Sequence, residues 1–359
     1  MFREPREQAK AIGVYSFVAS AGASIGLLAG GVLTEAINWH WIFFVNVPIG
    51  VVIALLATRL VEDRAGIGLK QGADVPGAVL LTAGLMLGVY TLLEAGGQGW
   101  GSAQTLGLGG IAIALLAAFV ARQARIANPL MPLRLLRSRN VTGANLVMAL
   151  LVIGFFGMFF LGALYLQGIL GYSPLEVGLA FMPASIVMGT LSLGYAEKLI
   201  MGIGPKAALV AGLVSAGAGL VLFAQAPVDG NYVTDVLAVM LLLGAGAGLA
   251  FPALMTLAMS GATPSDAGLA SGLVNTTVQV GGAVGLAVLA TLATSRTEGL
   301  RADGESVAAA LNAGYHLAYL VGAALVAAAV VAALVVLRSE RGAARAESRA
   351  GEPAYADAA

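Results

Sequence analysis

Residues 141–166 read VTGANLVMALLVIGFFGMFFLGALYL, an apolar run that contains no charged residue. A helix needs about 20 such residues to cross a hydrocarbon core of roughly 30 Å. A membrane β-strand would need only about ten residues, with alternating polarity. Because this run is longer and apolar throughout, it predicts a transmembrane helix.

Outside this run, the chain has nine more segments of similar composition, separated by short polar or Gly/Pro-marked connectors. The predicted fold class is therefore all-α, a polytopic membrane protein with about ten transmembrane helices. The predicted spans lie at approximately 12–34, 41–60, 76–95, 105–121, 141–166, 176–194, 206–225, 234–259, 267–293 and 315–337.

The composition makes the lipid bilayer the expected surroundings of the chain. Of its 359 residues, 59% are hydrophobic and 11% are charged, whereas soluble proteins carry about 25% charged residues. This deficit excludes an ordinary soluble enzyme, and the high hydrophobicity excludes disorder of the whole chain. The 19 basic and 19 acidic residues cancel, so no net positive field attracts nucleic acid.

The residue types that enzymes and metal sites need are missing or scattered. The chain has no cysteine, and its two histidines, His40 and His316, lie far apart. A disulfide framework, a thiolate nucleophile and a histidine metal cage are therefore not expected. No Ser-His-Asp or paired-carboxylate arrangement has a usable spacing. We expect no enzyme, no catalytic residue and no metal site.

Basic residues are distributed unequally between the alternating connectors. Seventeen fall on one side, and only Arg296 and Arg301 fall on the other. The positive-inside rule places the side rich in basic residues in the cytoplasm. With ten spans, both termini lie on that side, and the tail 338–359 is predicted to be disordered and cytoplasmic.

Charged residues within the spans are few. No Lys or Arg falls inside a predicted span. Glu35, Asp74, Glu94 and Asp235 stand near span ends, where water and lipid headgroups are expected to solvate them.

The uncharged polar residues have two open interpretations. Asn275 and Gln279 belong to a polar cluster in the ninth span, Tyr165 and Gln167 end the fifth span, and Asn145 begins it. Such side chains either form interhelical hydrogen bonds, worth about 0.6 kcal/mol on average in a bilayer, or line a cavity.

Glycines recur at helical spacing in several spans. In the first span, three of them stand four residues apart on one helix face, and residues 244–248 and 281–285 repeat the theme. Small residues let another helix backbone approach closely, so the spacing alone predicts tight packing and no particular function. The first-span glycines are Gly13, Gly22, Gly26, Gly30 and Gly31.

These first-span glycines carry a resemblance to a known family. Their order resembles the antiporter motif of major facilitator drug exporters, although Leu27 stands where that motif usually has proline. The segment 39–50, WHWIFFVNVPIG, follows it as in fourteen-span drug:proton antiporters of the EmrB/QacA type. Later segments are similar to the same family: 128–133 (NPLMPL), 165–167 (YLQ), 171–174 (GYSP) and 266–275 (DAGLASGLVN).

The resemblance implies a partial major facilitator fold, with the ten spans corresponding to the fifth through fourteenth of the family. Residues 1–60 would supply the last two helices of the N-terminal half. Residues 61–125 would form two inserted linker helices, and residues 126–337 a complete C-terminal six-helix half. We therefore expect a fragment or truncated gene product that lacks the first four spans.

The resemblance also implies multidrug efflux across the bacterial inner membrane, with amphipathic drug-like substrates exchanged for protons by alternating access. The proton gradient would drive transport without a cofactor, and a periplasmic adaptor protein stays open as a partner. The first-span glycine face would pack against the sixth span. The alternative is a truncated membrane protein or scaffold that transports nothing. The residues expected at a substrate cavity are Asn145, Phe155, Phe159, Tyr165, Gln167, Asn275 and Gln279.

Overall fold

The computed structural model describes residues 22, 26, 28–60, 74–126, 128–260 and 266–337. Within this part, the chain forms helices joined by short connectors. The α-helices are α1 (28–36), α2 (Trp41–Phe44), α3 (Asn46–Leu60), α4 (Val75–Gln98), α5 (Ala103–Gln123), α6 (Arg139–Gly168), α7 (Pro174–Thr190), α8 (Ala196–Ile203), α9 (Pro205–Phe223), α10 (Leu237–Ser260), α11 (Ala267–Ala302) and α12 (Val307–Val336).

Nine helical stretches of the described residues are long and apolar enough to cross a membrane. They coincide with the second to tenth predicted spans, so the all-α polytopic fold is confirmed. One stretch, Pro174–Ile203, joins α7 to α8 through a π-helical turn at Leu191–Tyr195. Most of the first predicted span, 12–34, and the whole tail 338–359 lie outside the described residues.

Two helices run past the apolar segments that predict them. α11 extends to Ala302, although the predicted span ends at 293, and α12 begins at Val307 rather than at 315. Hydropathy marks only the part of a helix that lies in hydrocarbon. The residues after 293 include good helix formers such as Arg296 and Glu298, which continue the helix beyond that region.

Six spans form a bundle with its own core, because α6, α7, α9, α10, α11 and α12 pack against one another. Large side chains at its centre are fully buried, among them Met158, Leu213, Leu243 and Tyr319. By contrast, α2 and α3 contain no buried residue. The core of the described chain therefore lies within α6–α12.

Glycines set the spacing between the bundle helices. An added Cβ at Gly246 of α10 would lie 2.7 Å from the Ala216 Cβ of α9. An added Cβ at Gly285 of α11 would lie 2.5 Å from the Ile153 carbonyl oxygen of α6. Both distances are far inside van der Waals contact, so only glycine permits these approaches. The close packing predicted for the eighth and ninth spans is confirmed.

A buried carboxylate closes one end of the α4–α5 hairpin. Asp74 is the N-cap of α4, is 3% exposed, and accepts a hydrogen bond from the Gly77 amide at 2.9 Å. It also accepts hydrogen bonds from Arg122 Nε at 2.6 Å and Gln123 Nε2 at 2.7 Å, at the end of α5. The Met131 amide donates to Gln123 Oε1 at 3.1 Å. This network, the Asp74 clasp, takes the place of the solvation expected for a charge at a span end.

The Asp74 clasp also sets the protonation of its carboxylate. Burial alone would raise the pKa of the Asp74 carboxyl. The hydrogen bonds from Arg122, Gly77 and Gln123, together with the guanidinium charge, outweigh burial and lower that pKa below its ordinary value of 3.8.

Further polar contacts lie at the same end of the bundle. Arg134, in the connector that leads into α6, donates to Asp266 Oδ1 at 2.9 Å, next to the start of α11. The Lys206 ammonium, at the start of α9, donates to the carbonyl oxygens of Leu334 (2.7 Å) and Leu337 (2.9 Å). A cation beside the last carbonyls of α12 also complements the helix dipole.

Replacing Gly246 by alanine should destabilise the bundle, because the new methyl group would press on Ala216 of α9. Overpacking of this kind costs about 1–3 kcal/mol. We expect a lower apparent melting temperature in detergent, measured by circular dichroism during heating. Gly107→Ala in α5 is the control, since a Cβ there meets no described atom within 4 Å. An equal loss in both variants would contradict the close approach.

Replacing Asp74 by asparagine should lower the melting temperature near neutral pH, because Arg122 loses its counter-charge. The folded-state pKa of Asp74 lies below 3.8, so the carboxylate contributes stability above that pH. This contribution is lost as the pH falls through the lower, folded-state pKa. The difference between wild type and variant should therefore shrink on acidification. Glu94→Gln, which removes an exposed carboxylate of the same helix, is the control and should leave the melting temperature near neutral pH unchanged.

Candidate functional site

Four phenylalanines from three helices meet in the C-terminal bundle and form an aromatic cluster. Phe155 and Phe159 of α6 have ring centroids 5.0 Å apart. Phe159 stacks on Phe181 of α7 at 5.0 Å, with the ring planes 20° apart. Phe155 meets Phe251 of α10 edge to face at 6.3 Å. Such geometries are the favourable ones for aromatic pairs.

The aromatic cluster follows from helix periodicity. Phe155 and Phe159 stand four residues apart, so both point from one face of α6. The sequence predicts these two as cavity residues but gives no reason to select Phe181 and Phe251. A local signal exists for both, because each lies within two residues of a proline inside its helix, at Pro183 or Pro252.

The cluster presents an apolar aromatic surface that is only partly covered. Phe155 and Phe181 are buried, whereas Phe159 and Phe251 are partly exposed. Met255, one turn after Phe251, packs beside this core and is also partly exposed. Aromatic faces and a flexible thioether suit contact with flat apolar molecules of varied shape.

One of the expected polar residues joins two helices. Thr277 of α11 donates a hydrogen bond to Asn145 Oδ1 of α6 at 2.8 Å. Asn145 Nδ2 donates in turn to the Val141 carbonyl oxygen at 2.8 Å. The amide of Asn145 thus makes an interhelical hydrogen bond.

A cleft of about 660 Å³ separates α4 from α11, with Met86, Tyr90, Asn275, Thr276 and Gln279 in its walls. We call it the α4–α11 cleft. Asn275 Nδ2 and the Thr276 hydroxyl donate to backbone carbonyls of their own helix, at 3.0 and 2.9 Å. The structure places Asn275 and Gln279 in the walls of one cleft, with α4 as an unexpected opposite wall, and their role at a substrate cavity stays a prediction.

Two other expected cavity residues lie elsewhere. Tyr165 is fully buried, and its hydroxyl donates to the Pro227 carbonyl oxygen at 2.7 Å. Its ring packs edge to face on Phe223 at 5.5 Å. Gln167 is exposed near the end of α6. Neither lines the α4–α11 cleft, and their role at a substrate cavity stays a prediction.

The first-span glycines are described only in part. A Cβ at Gly31 would lie 2.9 Å from the Leu175 Cα, so α1 abuts the start of α7, the sixth predicted span. Gly22, Gly26 and Gly30 meet no described atom within 4 Å. Gly13 lies outside the described residues. A packing role for the whole glycine face stays a prediction.

The described residues also contain no group of His, Asp and Glu side chains that could hold a metal ion. The site geometry is thus that of apolar and uncharged polar surfaces between long membrane helices.

Comparison with known proteins identifies the family of the chain. A family model described as the Major Facilitator Superfamily matches residues 1–286. The chain belongs to that superfamily. As a member of that superfamily it is a multi-pass membrane protein, and the expected resemblance is confirmed.

Named relatives of this major facilitator chain include antibiotic resistance and export proteins. It is 37% identical to the puromycin resistance protein of Streptomyces alboniger, over 95% of this chain and 69% of the relative. It is 37% identical to the cephamycin export protein of Amycolatopsis lactamdurans, over 84% of this chain and 63% of the relative. The tetracenomycin C resistance and export protein of Streptomyces glaucescens is 33% identical over 80% of this chain and 53% of the relative. The chain thus spans between half and about two thirds of these relatives.

Replacing Tyr165 by phenylalanine should weaken the fold and leave ligand binding unchanged, because the hydroxyl is already bonded to the Pro227 carbonyl oxygen in the connector after α9. Loss of this hydrogen bond costs about 1 kcal/mol. The checks are the melting temperature and the affinity for a fluorescent dye, both in detergent. A changed affinity with an unchanged melting temperature would instead assign Tyr165 to the binding surface.

Proposed function

We propose that this major facilitator chain exports amphipathic drug-like molecules from the bacterial cytoplasm, in exchange for protons, by alternating access. The observation that carries the proposal is the similarity to three proteins named for resistance to, or export of, antibiotics. The partly exposed aromatic cluster supports it, since such a surface binds the apolar body of a drug without demanding one shape.

The proposed mechanism moves two helical halves against each other around a site near the middle of the membrane. In this proposal, residues 126–337 are the C-terminal half, residues 1–60 belong to the N-terminal half, and residues 61–125 are an inserted pair. The dense packing among α6–α12 supports treating that part as one moving unit. The contact of Gly31 with Leu175 is the proposed joint between the halves.

The proposed orientation places both termini in the cytoplasm of a bacterial inner membrane. The support is the concentration of seventeen basic residues on one side of the predicted topology. Arg122, Arg134 and Lys206 make their polar contacts at a common end of the bundle, as this topology requires. Alternating access already carries a molecule across one membrane, so the proposal does not require a periplasmic adaptor.

The proposal is tested by measuring puromycin and ethidium accumulation in a bacterial strain without its own efflux pumps. Cells that make the 359-residue chain should accumulate less of at least one compound than empty-vector cells, and a protonophore should abolish the difference. Equal accumulation, with the chain shown to be in the membrane, would contradict export. It would favour a membrane protein that does not transport.

Replacing Phe159 by alanine should reduce the export rate about tenfold, because an aromatic contact worth about 1.5 kcal/mol is lost. Phe160→Ala is the matched control, since Phe160 is the next residue of α6 and is 45% exposed outside the cluster. Initial efflux rates from preloaded cells, at equal membrane expression, measure the difference. Equal rates for both variants would remove the aromatic cluster from the proposed site.

A further inference from the structure

The α4–α11 cleft has the size and lining of a ligand site. Its volume of about 660 Å³ falls within the roughly 300–1,000 Å³ usual for small-molecule pockets. One wall, from α4, is apolar except for the hydroxyl of Tyr90. The other wall, from α11, carries Asn275, Thr276 and Gln279. A mostly apolar cleft with a few convergent polar groups is the usual composition of such sites.

The side chain of Gln279 is available to form a hydrogen bond with a ligand in the cleft. The side chains of Asn275 and Thr276 already donate hydrogen bonds to backbone carbonyl oxygens of α11. The Gln279 amide makes no hydrogen bond to any described residue, although it lies well inside the apolar part of α11. A polar group without a partner is costly in hydrocarbon. A ligand with a donor or acceptor of its own would remove this cost.

The cleft also selects against charge. No Asp, Glu, Lys, Arg or His stands among the residues of its walls. An ionic ligand would therefore lose water and gain no counter-charge, which is strongly unfavourable. An uncharged ligand avoids this penalty. The uncharged, mostly apolar walls therefore suit an uncharged and mostly apolar molecule.

A second cavity adjoins the cleft. That cavity, of about 320 Å³, shares Leu85 and Thr276 with the cleft and reaches Ala149 and Ile153 of α6. The Asn145–Thr277 hydrogen bond joins α6 to α11 beside it. The two adjoining cavities therefore extend from α4 to α6, the helix that carries Phe155.

We propose that the α4–α11 cleft binds an uncharged amphipathic small molecule, held by the Gln279 amide and enclosed by α4. The site is distinct from the aromatic cluster, and the inserted hairpin is a part of it. Its role as an entry point from the bilayer rests on the proposed export function. Binding itself does not rest on that function, because it needs neither a proton gradient nor a second half.

The test uses the full chain in lipid nanodiscs and N-phenyl-1-naphthylamine, an uncharged aromatic fluorophore with one N–H donor. Titration should show saturable binding to the wild type. Gln279→Leu should weaken the affinity about three- to tenfold, the range for one lost hydrogen bond. Met86→Trp fills the cleft from α4 and should weaken it more than about tenfold.

Two matched controls should bind as the wild type does. Leu106→Trp places the same bulk on α5, where Leu106 is 64% exposed and Met86 on α4 is 69% exposed. Gln225→Leu removes another exposed amide, which lies outside the cleft and bonds its own helix. Circular dichroism checks folding. If Met86→Trp does not fold, Gln279→Leu with Tyr90→Phe carries the test.

Several outcomes would overturn the proposal. Unchanged affinity in Gln279→Leu and Met86→Trp would remove the site. Saturable binding in detergent that vanishes in nanodiscs would assign the cleft to phospholipid. Competition by the tetraphenylphosphonium cation as strong as that by unlabelled 1-naphthylamine would overturn the uncharged class. Because binding is read without transport, a chain that binds but exports nothing contradicts only the proposed function.

Discussion

The close approach of helix backbones at glycines is the constraint on which the bundle depends. Lipid tails are as apolar as leucine, so the hydrophobic effect does not drive helices together inside a bilayer. Van der Waals contact remains, and it is greatest where backbones touch. An added Cβ at Gly154 of α6 would lie 3.0 Å from the Gly322 carbonyl oxygen of α12. Together with Gly285 and Gly246, this contact fixes the distances between helices and thereby the positions of the aromatic side chains.

Charged side chains, unlike these glycines, make their contacts at the ends of helices and outside the apolar spans. Asp74, Arg134 and Lys206 each join segments far apart in sequence, at one end of the bundle. Ionic contacts there avoid the cost of burying charge in hydrocarbon. The interior of the described bundle relies on uncharged pairs such as Asn145 with Thr277. This division leaves the surfaces between helices suited to apolar and neutral molecules.

The spans were predictable because crossing hydrocarbon demands a long apolar run, and 41–60 matches Trp41–Leu60 residue for residue. The end of α11 could not be predicted, because hydropathy gives no signal for a helix once it leaves the bilayer. The sequence also does not show which helix faces pack against each other. The helices are apolar all round, so hydropathy does not distinguish Phe181 or Phe251 from the other phenylalanines, and the nearby prolines do not show which faces meet.

The polar cluster around Asn275 and Gln279 could be selected from composition, but its opposite wall could not. That wall exists because α4 packs against α11, far away along the chain. A single sequence does not show which distant helices pack together. The two interpretations of the uncharged polar residues, interhelical hydrogen bonding and cavity lining, therefore apply to different residues. Asn145 makes an interhelical bond, and Gln279 faces a cleft.

The α4–α5 hairpin is held unequally along its length. At one end the Asp74 clasp ties it to the connector by short, directional bonds. Near the other end, Gly96 rests against the side chain of Thr291, where an added Cβ would lie 3.1 Å from Thr291 Oγ1. The hairpin is therefore held by polar side-chain bonds at one end and by van der Waals contact with α11 near the other. The width of the cleft is accordingly set by how closely the backbones of α4 and α11 can approach, and a larger residue at position 96 would widen it.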